Sequence, residues 1–276
     1  MSPAPNDLDP RFAAALAWDA PARRRLLDQL AAQPRADALA RVDGDLADVL
    51  VASLASERRS EQRHAAEVIA RLAPDSAALL AALRRALGDA SARLRWGAAY
   101  TLGHALPPGP ELWPAARETL ELDDGDQRWA AAELACAIAR AHPSVLVEIR
   151  QELGASSATL RKMCLYCLRD LGEADAPRWA RALLDDGDAG VRLAALATVA
   201  RATPASEDAR AAAERLAAML PDDPDLGVRR AAAATLGKLG AASITVLAAL
   251  RTAAAASDAS LARAALGALR TLGASG

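Results

Sequence analysis

An arginine recurs through this 276-residue chain at a near-constant interval, and each time it opens the same short pattern. Small apolar residues follow two and three places on, and a branched or small apolar residue follows seven and ten places on. Matching windows begin at Arg63, Arg95, Arg128, Arg161, Arg192 and Arg229, with a weaker one at Ala262, so successive windows stand 32, 33, 33, 31, 37 and 33 residues apart. A period in this range marks a repeat protein. One helix pair cannot bury its apolar face alone, so neighbouring pairs must stack and share a continuous core. The clearest copy, Val228 to Gly240, shows why the unit is helical: Val228, Ala232, Leu236 and Leu239 share one side at helical period, and Arg230, Ala234 and Lys238 share the other. The expected fold is all-α, a right-handed alpha-alpha superhelix of about seven helix pairs behind an N-terminal helical cap, with no single central enzyme-like pocket.

Composition supports close helix packing. The chain is 53% hydrophobic but only 3% aromatic, and alanine supplies much of the difference. Alanine favours the helix and lets backbones approach. No stretch has 18 consecutive apolar residues, so no membrane span is expected. The formal net charge of -2 argues against a protein built to grip phosphate backbones, which disfavours nucleic acid as the partner. The opening MSPAPNDLDP lacks the basic start and apolar core of a secretory signal, which points to the cytoplasm. Cys136, Cys164 and Cys167 are too few and too clustered for a disulfide framework. Cys164 and Cys167 form a CxxC inside a helical pattern, where Cys164 should face the core and Cys167 its margin. Two thiols do not complete a structural zinc site, so neither metal nor cofactor is expected.

Residues 1 to 8 read as a flexible leader, 9 to 45 as the cap and 46 to 276 as the repeats. Helix-start and helix-stop signals place cap helices at Pro10 to Trp18 and Pro21 to Ala32, with Phe12, Leu16 and Trp18 covering the open end of the first repeat. The pairs follow at Leu46 to Ser56 with Ser60 to Leu72, Asp75 to Leu87 with Ser91 to Ala105, and Glu111 to Glu121 with Asp126 to Ala141. Four more run Ser144 to Leu153 with Ser156 to Leu171, Ala176 to Leu184 with Ala189 to Ala202, Ser206 to Leu220 with Leu226 to Leu239, and Ala241 to Ala255 with Ala259 to Leu272.

An aspartate four places before the anchor, then Val-Arg and an alanine-rich helix, appears most fully at Asp225, Val228, Arg229, Leu236 and Gly237. It returns at Asp188, Val191, Arg192 and Val199, and at Asp124, Gln127, Arg128 and Ala135. The pattern resembles HEAT repeats, in particular the short-repeat bacterial class that includes the HEAT-like repeats of phycobilisome lyases, over roughly residues 46 to 272. The resemblance implies a structural ladder between repeats. Asp124, Asp188, Asp225 and Asp258 would accept amide hydrogen bonds at helix starts, and Arg63, Arg95, Arg128, Arg161, Arg192 and Arg229 would bridge adjacent turns. Arg59, Ser91 and Ser157 depart from the aspartate, and Ala262 from the arginine. The acidic turns at 123 to 126, 185 to 188 and 221 to 225 lack a calcium loop's terminal glutamate and read as helix caps.

The resemblance also implies that the second helix of each pair lines a concave face. Positions one, five and nine beyond the anchor point away from the shared core by helical geometry. In the central repeats they bring together Trp96, Tyr100, His104, Trp129, Glu133, Lys162 and Tyr166, an uneven share of the few aromatics. Aromatic side chains combine contact area with hydrogen-bonding edges. The expected function is a non-catalytic protein-binding scaffold or accessory or maturation subunit, with a protein or peptide partner. The alternative is a HEAT-like lyase or carrier of a small organic ligand, with His104 or Glu133 moving protons. A less favoured reading is a DNA glycosylase-like enzyme with Trp96 and Trp129 as stacking walls.

Overall fold

A computed structural model describes residues 19–274. Among these it holds 16 α-helices, joined by turns and short 3-10 segments, and no strand. The leader and the helix expected at Pro10 to Trp18 lie outside the described residues, as do Phe12, Leu16 and Trp18. The cap helix expected from Pro21 is α1 (Ala20–Ala32), and a short α2 (Arg35–Leu39) follows it. Next come α3 (Gly44–Ala52), α4 (Arg59–Leu72), α5 (Ala77–Ala86), α6 (Ala92–Ala105), α7 (Trp113–Thr119), α8 (Gly125–Ala141) and α9 (Pro143–Gln151). The remainder are α10 (Ala158–Leu171), α11 (Ala176–Arg181), α12 (Ala189–Val199), α13 (Glu207–Asp222), α14 (Leu226–Leu239), α15 (Ile244–Ala254) and α16 (Ala259–Thr271).

These helices pack as two compact units, one ending at Val145 and the other beginning at Leu146, a boundary that falls within α9. In the first unit α3 packs on α5, and α4 on α6, while α6 also touches α7 and α8. The cap helix α1 lies against α3 and α4. In the second unit α10, α12, α14 and α16 pack in succession, each of the last three also contacting the first helix of its own pair. This is the all-α repeat stacking expected from the period.

Local chemistry sets the helix boundaries. Ser76, Ser91, Ser157, Asp188, Ser206, Asp225, Ser243 and Asp258 each accept a hydrogen bond from the backbone amide three residues on. Asp124 accepts two, from Asp126 and Gln127. Each such cap is worth about 1 kcal/mol. α6 lies close on the turn after α3 where glycine removes a side chain: a Cβ on Gly97 would lie 2.7 Å from Leu54 Cβ. Leu50, Leu54, Ile69, Leu72, Leu79 and Leu83 fill the core of the first unit with Trp113, and Leu165, Leu184, Val191, Leu216, Leu236 and Leu250 that of the second. All three cysteines are buried and in no disulfide; Cys167, expected at the core margin, is fully enclosed.

Where the anchor arginines bridge adjacent turns as expected, the carboxylate they reach is one the sequence did not single out. The aspartates four places before the anchor cap helices, and the guanidinium goes elsewhere. Arg161 Nη1 donates to the carbonyls of Ala155 and Ser156 in its own turn, and its Nε and Nη2 donate, each at 2.8 Å, to Asp186, which stands six places before the next anchor. Arg192 repeats the arrangement with the carbonyls of Asp186 and Gly187 and the carboxylate of Asp223, at 2.8 and 2.9 Å. The acceptor carboxylates are themselves oriented by the amides of Asp188 and Asp225. Arg95 takes its own turn's carbonyls at Asp89 and Ala90 but forks to Glu118 of α7 instead. Arg128 donates to the carbonyl of Leu122. Six places before the last anchor position stands Ala256, which offers Arg229 no carboxylate, and the Arg229 Nε is buried without a hydrogen-bond partner among the described residues.

Candidate functional site: a groove along α6

The first unit carries a groove whose floor is α6 and whose walls are α4 and α8. Trp96, Gly97 and Tyr100 line the floor, Arg59, Gln62, Arg63 and Ala66 one wall, and Asp126, Gln127 and Ala130 the other. Its enclosed volume is about 100 Å³. Alanines at 66 and 130 leave the room. Along α6 the rings follow one another at helical spacing. Trp96 and Tyr100 have centroids 5.6 Å apart, and Tyr100 and His104 4.1 Å apart. The carbonyl of Tyr100 lies 2.8 Å from His104 Nδ1, which fixes the imidazole against the phenol. Tyr100 is half-buried and His104 exposed.

One end of the groove is closed by charge. Arg59, at the start of α4, pairs with Asp124 and, at 3.2 Å, with Asp126, so the first turns of α4 and α8 meet beside Trp96. Arg59 occupies the place where the repeat pattern calls for a capping aspartate, and α4 accordingly has no side-chain cap. Gln62 donates to the carbonyl of Leu54 at 2.9 Å, tying the wall back to the preceding turn.

This geometry corrects part of the expected surface. Trp96 is only 6% exposed: the two walls and the Arg59 bridge enclose it, so it is a floor residue with little free face. Trp129 and Glu133 belong to the exposed side of α8, with Trp129 at 48%, but the stripe of α8 that lines the groove is Asp126, Gln127 and Ala130. Lys162 and Tyr166 lie on α10 in the second unit. There the Arg169 guanidinium sits 4.8 Å from the Tyr166 ring centroid, and Lys162 runs beside Gly190 in the first turn of α12. Arg63, expected as a ladder residue, is exposed on the groove wall and, among the described residues, makes no ion pair. The wall residues Arg59, Gln62 and Asp126 escaped the sequence reading. Its one available signal was arginine at 59 in place of a cap.

Among the described residues no group of three or more histidine, cysteine or acidic side chains is placed to hold a metal ion, and no helix is long and apolar enough to cross a membrane. No protein-family model matches the chain, and no curated protein matches it. Solved structures do. The karyopherin Kap121p bound to the extreme C-terminus of the protein phosphatase Cdc14p aligns with a TM-score of 0.56 at 14% identity, over 95% of this chain and 31% of that one. Kap121p bound to Pho4p aligns with a TM-score of 0.54 at the same identity and coverage. YibA of E. coli aligns with a TM-score of 0.53 at 19% identity, over 96% of both chains. The chain thus spans about a third of the length of the karyopherins it matches. At these identities the likeness is one of fold, and the fold is that of HEAT/armadillo-like helical repeat proteins.

Proposed function

We propose that the chain is a non-catalytic protein-binding scaffold or accessory subunit that holds a peptide or helical segment of a partner in the α6 groove. The observation that carries this reading is the half-buried Tyr100, set between the enclosed Trp96 and the exposed His104 on the floor of a groove whose walls carry opposite charge. A partner side chain entering beside Tyr100 would lose water on three sides, while Arg63 and Asp126 would select its orientation. Trp129, on the next stripe of α8, would extend the contact beyond the groove. The karyopherin neighbours were solved with protein partners bound, which agrees with this use of the fold.

A small organic ligand is the second reading, favoured by the close, tilted Tyr100 and His104 rings. The groove's volume of about 100 Å³ falls below the roughly 300–1,000 Å³ of small-molecule sites, which is why a side chain on a larger partner suits it better. Within the HEAT-like proteins we assign the chain to the short-repeat bacterial class, on its Asp-Val-Arg pattern. Buried cysteines that form no disulfide suit a reducing compartment such as the cytoplasm.

Tyr100→Ala and Trp129→Ala, at a half-buried and an exposed position, test the reading. Affinity purification of the wild-type chain followed by mass spectrometry should identify a stoichiometric polypeptide, and recombinant binding to it should weaken at least about tenfold in the Tyr100 variant. Helical content should stay unchanged. A partner that binds both variants at wild-type strength places the site elsewhere, and a stoichiometric small molecule in place of a polypeptide selects the second reading.

A further inference from the structure

The second unit has an unused surface on the side of its first helices. Arg150 of α9 and Arg178 and Arg181 of α11 surround Trp179, and with Leu153 and Ala182 they line a shallow depression of about 450 Å³. No carboxylate lines it. The Arg150 guanidinium lies 5.4 Å from the Trp179 ring centroid. Resting on an aromatic face leaves the in-plane N–H edges of a guanidinium free for a fork to an acceptor. Among the described residues neither Arg150 nor Arg178 makes an ion pair, and Arg181 reaches only Asp208, at 3.8 Å. The ladder arginines Arg161 and Arg192 of the same unit have their forks filled. Spare guanidiniums around one apolar ring, on a chain of net charge -2, are therefore a local feature that stacking does not explain.

We propose that this depression is a second docking surface, and that it takes an acidic segment of a partner protein. Carboxylates of the segment would fork onto Arg150 and Arg178, and an adjacent apolar side chain would cover Trp179 and Leu153. Nucleic acid fits less well. The single indole already carries a guanidinium and offers no platform for successive bases.

The probe is a fluorescein-labelled synthetic peptide alternating glutamate and leucine, titrated with the full chain and followed by anisotropy. Wild-type protein should bind it with an affinity that falls as salt rises, and Arg150→Gln or Arg178→Glu should weaken binding at least about tenfold. Both side chains are exposed, so unchanged circular dichroism should accompany the loss. Trp179→Phe should remove the peptide-induced change in tryptophan fluorescence. Tyr100→Ala should bind the peptide as wild type does, which separates this surface from the α6 groove. The proposal is overturned if wild-type protein does not bind the peptide, if the arginine variants bind it equally, or if a single-stranded oligonucleotide of matched charge binds more tightly.

Discussion

The turns of the second unit and those of the first use the same residue types for different ends. Between α10, α12 and α14, each anchor arginine is spent on stacking: Arg161 and Arg192 bind their own turn with one nitrogen and the next repeat's carboxylate with the others. In the first unit Arg63 stands exposed on a groove wall, Asp124 both caps α8 and receives Arg59, and Arg95 finds its carboxylate on a neighbouring helix at Glu118. The regular turns leave little polar surface uncommitted. The irregular ones release charge to the surface beside a file of aromatic rings, so departures from the repeat mark the candidate site better than the repeat itself does.

Removing Arg192 should produce the largest effect of any single change tested against this contrast. Its pair with Asp223 is nearly enclosed, the side chains being 9% and 4% exposed, and Arg192→Ala would strand a buried carboxylate. The expected loss is about 3–5 kcal/mol in denaturant unfolding. A loss below that of an exposed pair would mean that stacking in this unit rests on apolar packing alone. Gly97→Ala comes next. It forces a methyl group to within 2.7 Å of Leu54 Cβ between α6 and the preceding turn, for about 1–3 kcal/mol of destabilisation.

Acid should act on the second unit's ladder. The hydrogen bond from Arg161 is the main influence that holds the Asp186 carboxyl below its ordinary value of 3.8. A lowered folded-state value means that the pair stabilises fully above that ordinary value and that its contribution is lost as pH falls through the lowered one. Asp186→Asn should therefore lower the melting temperature at neutral pH and flatten its decline in acid. An equally steep decline in the variant would assign the acid sensitivity to other carboxylates.

Two smaller changes sharpen the comparison. Arg59→Ala removes two ion pairs whose shared arginine is 58% exposed, so stability should change by less than about 1 kcal/mol. The indole of Trp96 should nonetheless become more accessible to a fluorescence quencher. If accessibility does not change, the bridge does not close the groove. Ala256→Asp supplies the acceptor that Arg229 lacks and should raise stability by up to about 1 kcal/mol, as the same substitution at a place without a waiting arginine would not.

The period, the helix pairs and most of the capping residues were legible in the sequence, because each depends on residues within a turn or two of one another. The Ser or Asp at 91, 157, 188, 225 and 258 caps a helix through the amide three places on, a relation that no tertiary arrangement has to supply. Three features were decided only by the packing of one pair on the next. The carboxylates that accept the anchor arginines are Asp186 and Asp223, not the capping aspartates, because the fork must reach across to the following turn. Arg59 meets Asp124 across 65 positions because the first turns of α4 and α8 come together beside α6. That approach buries Trp96 and turns Asp126, rather than Trp129, toward the groove. Helical period places a side chain on one face of its own helix. Only the rotation of each pair relative to its neighbour decides whether that face is floor, wall or free surface.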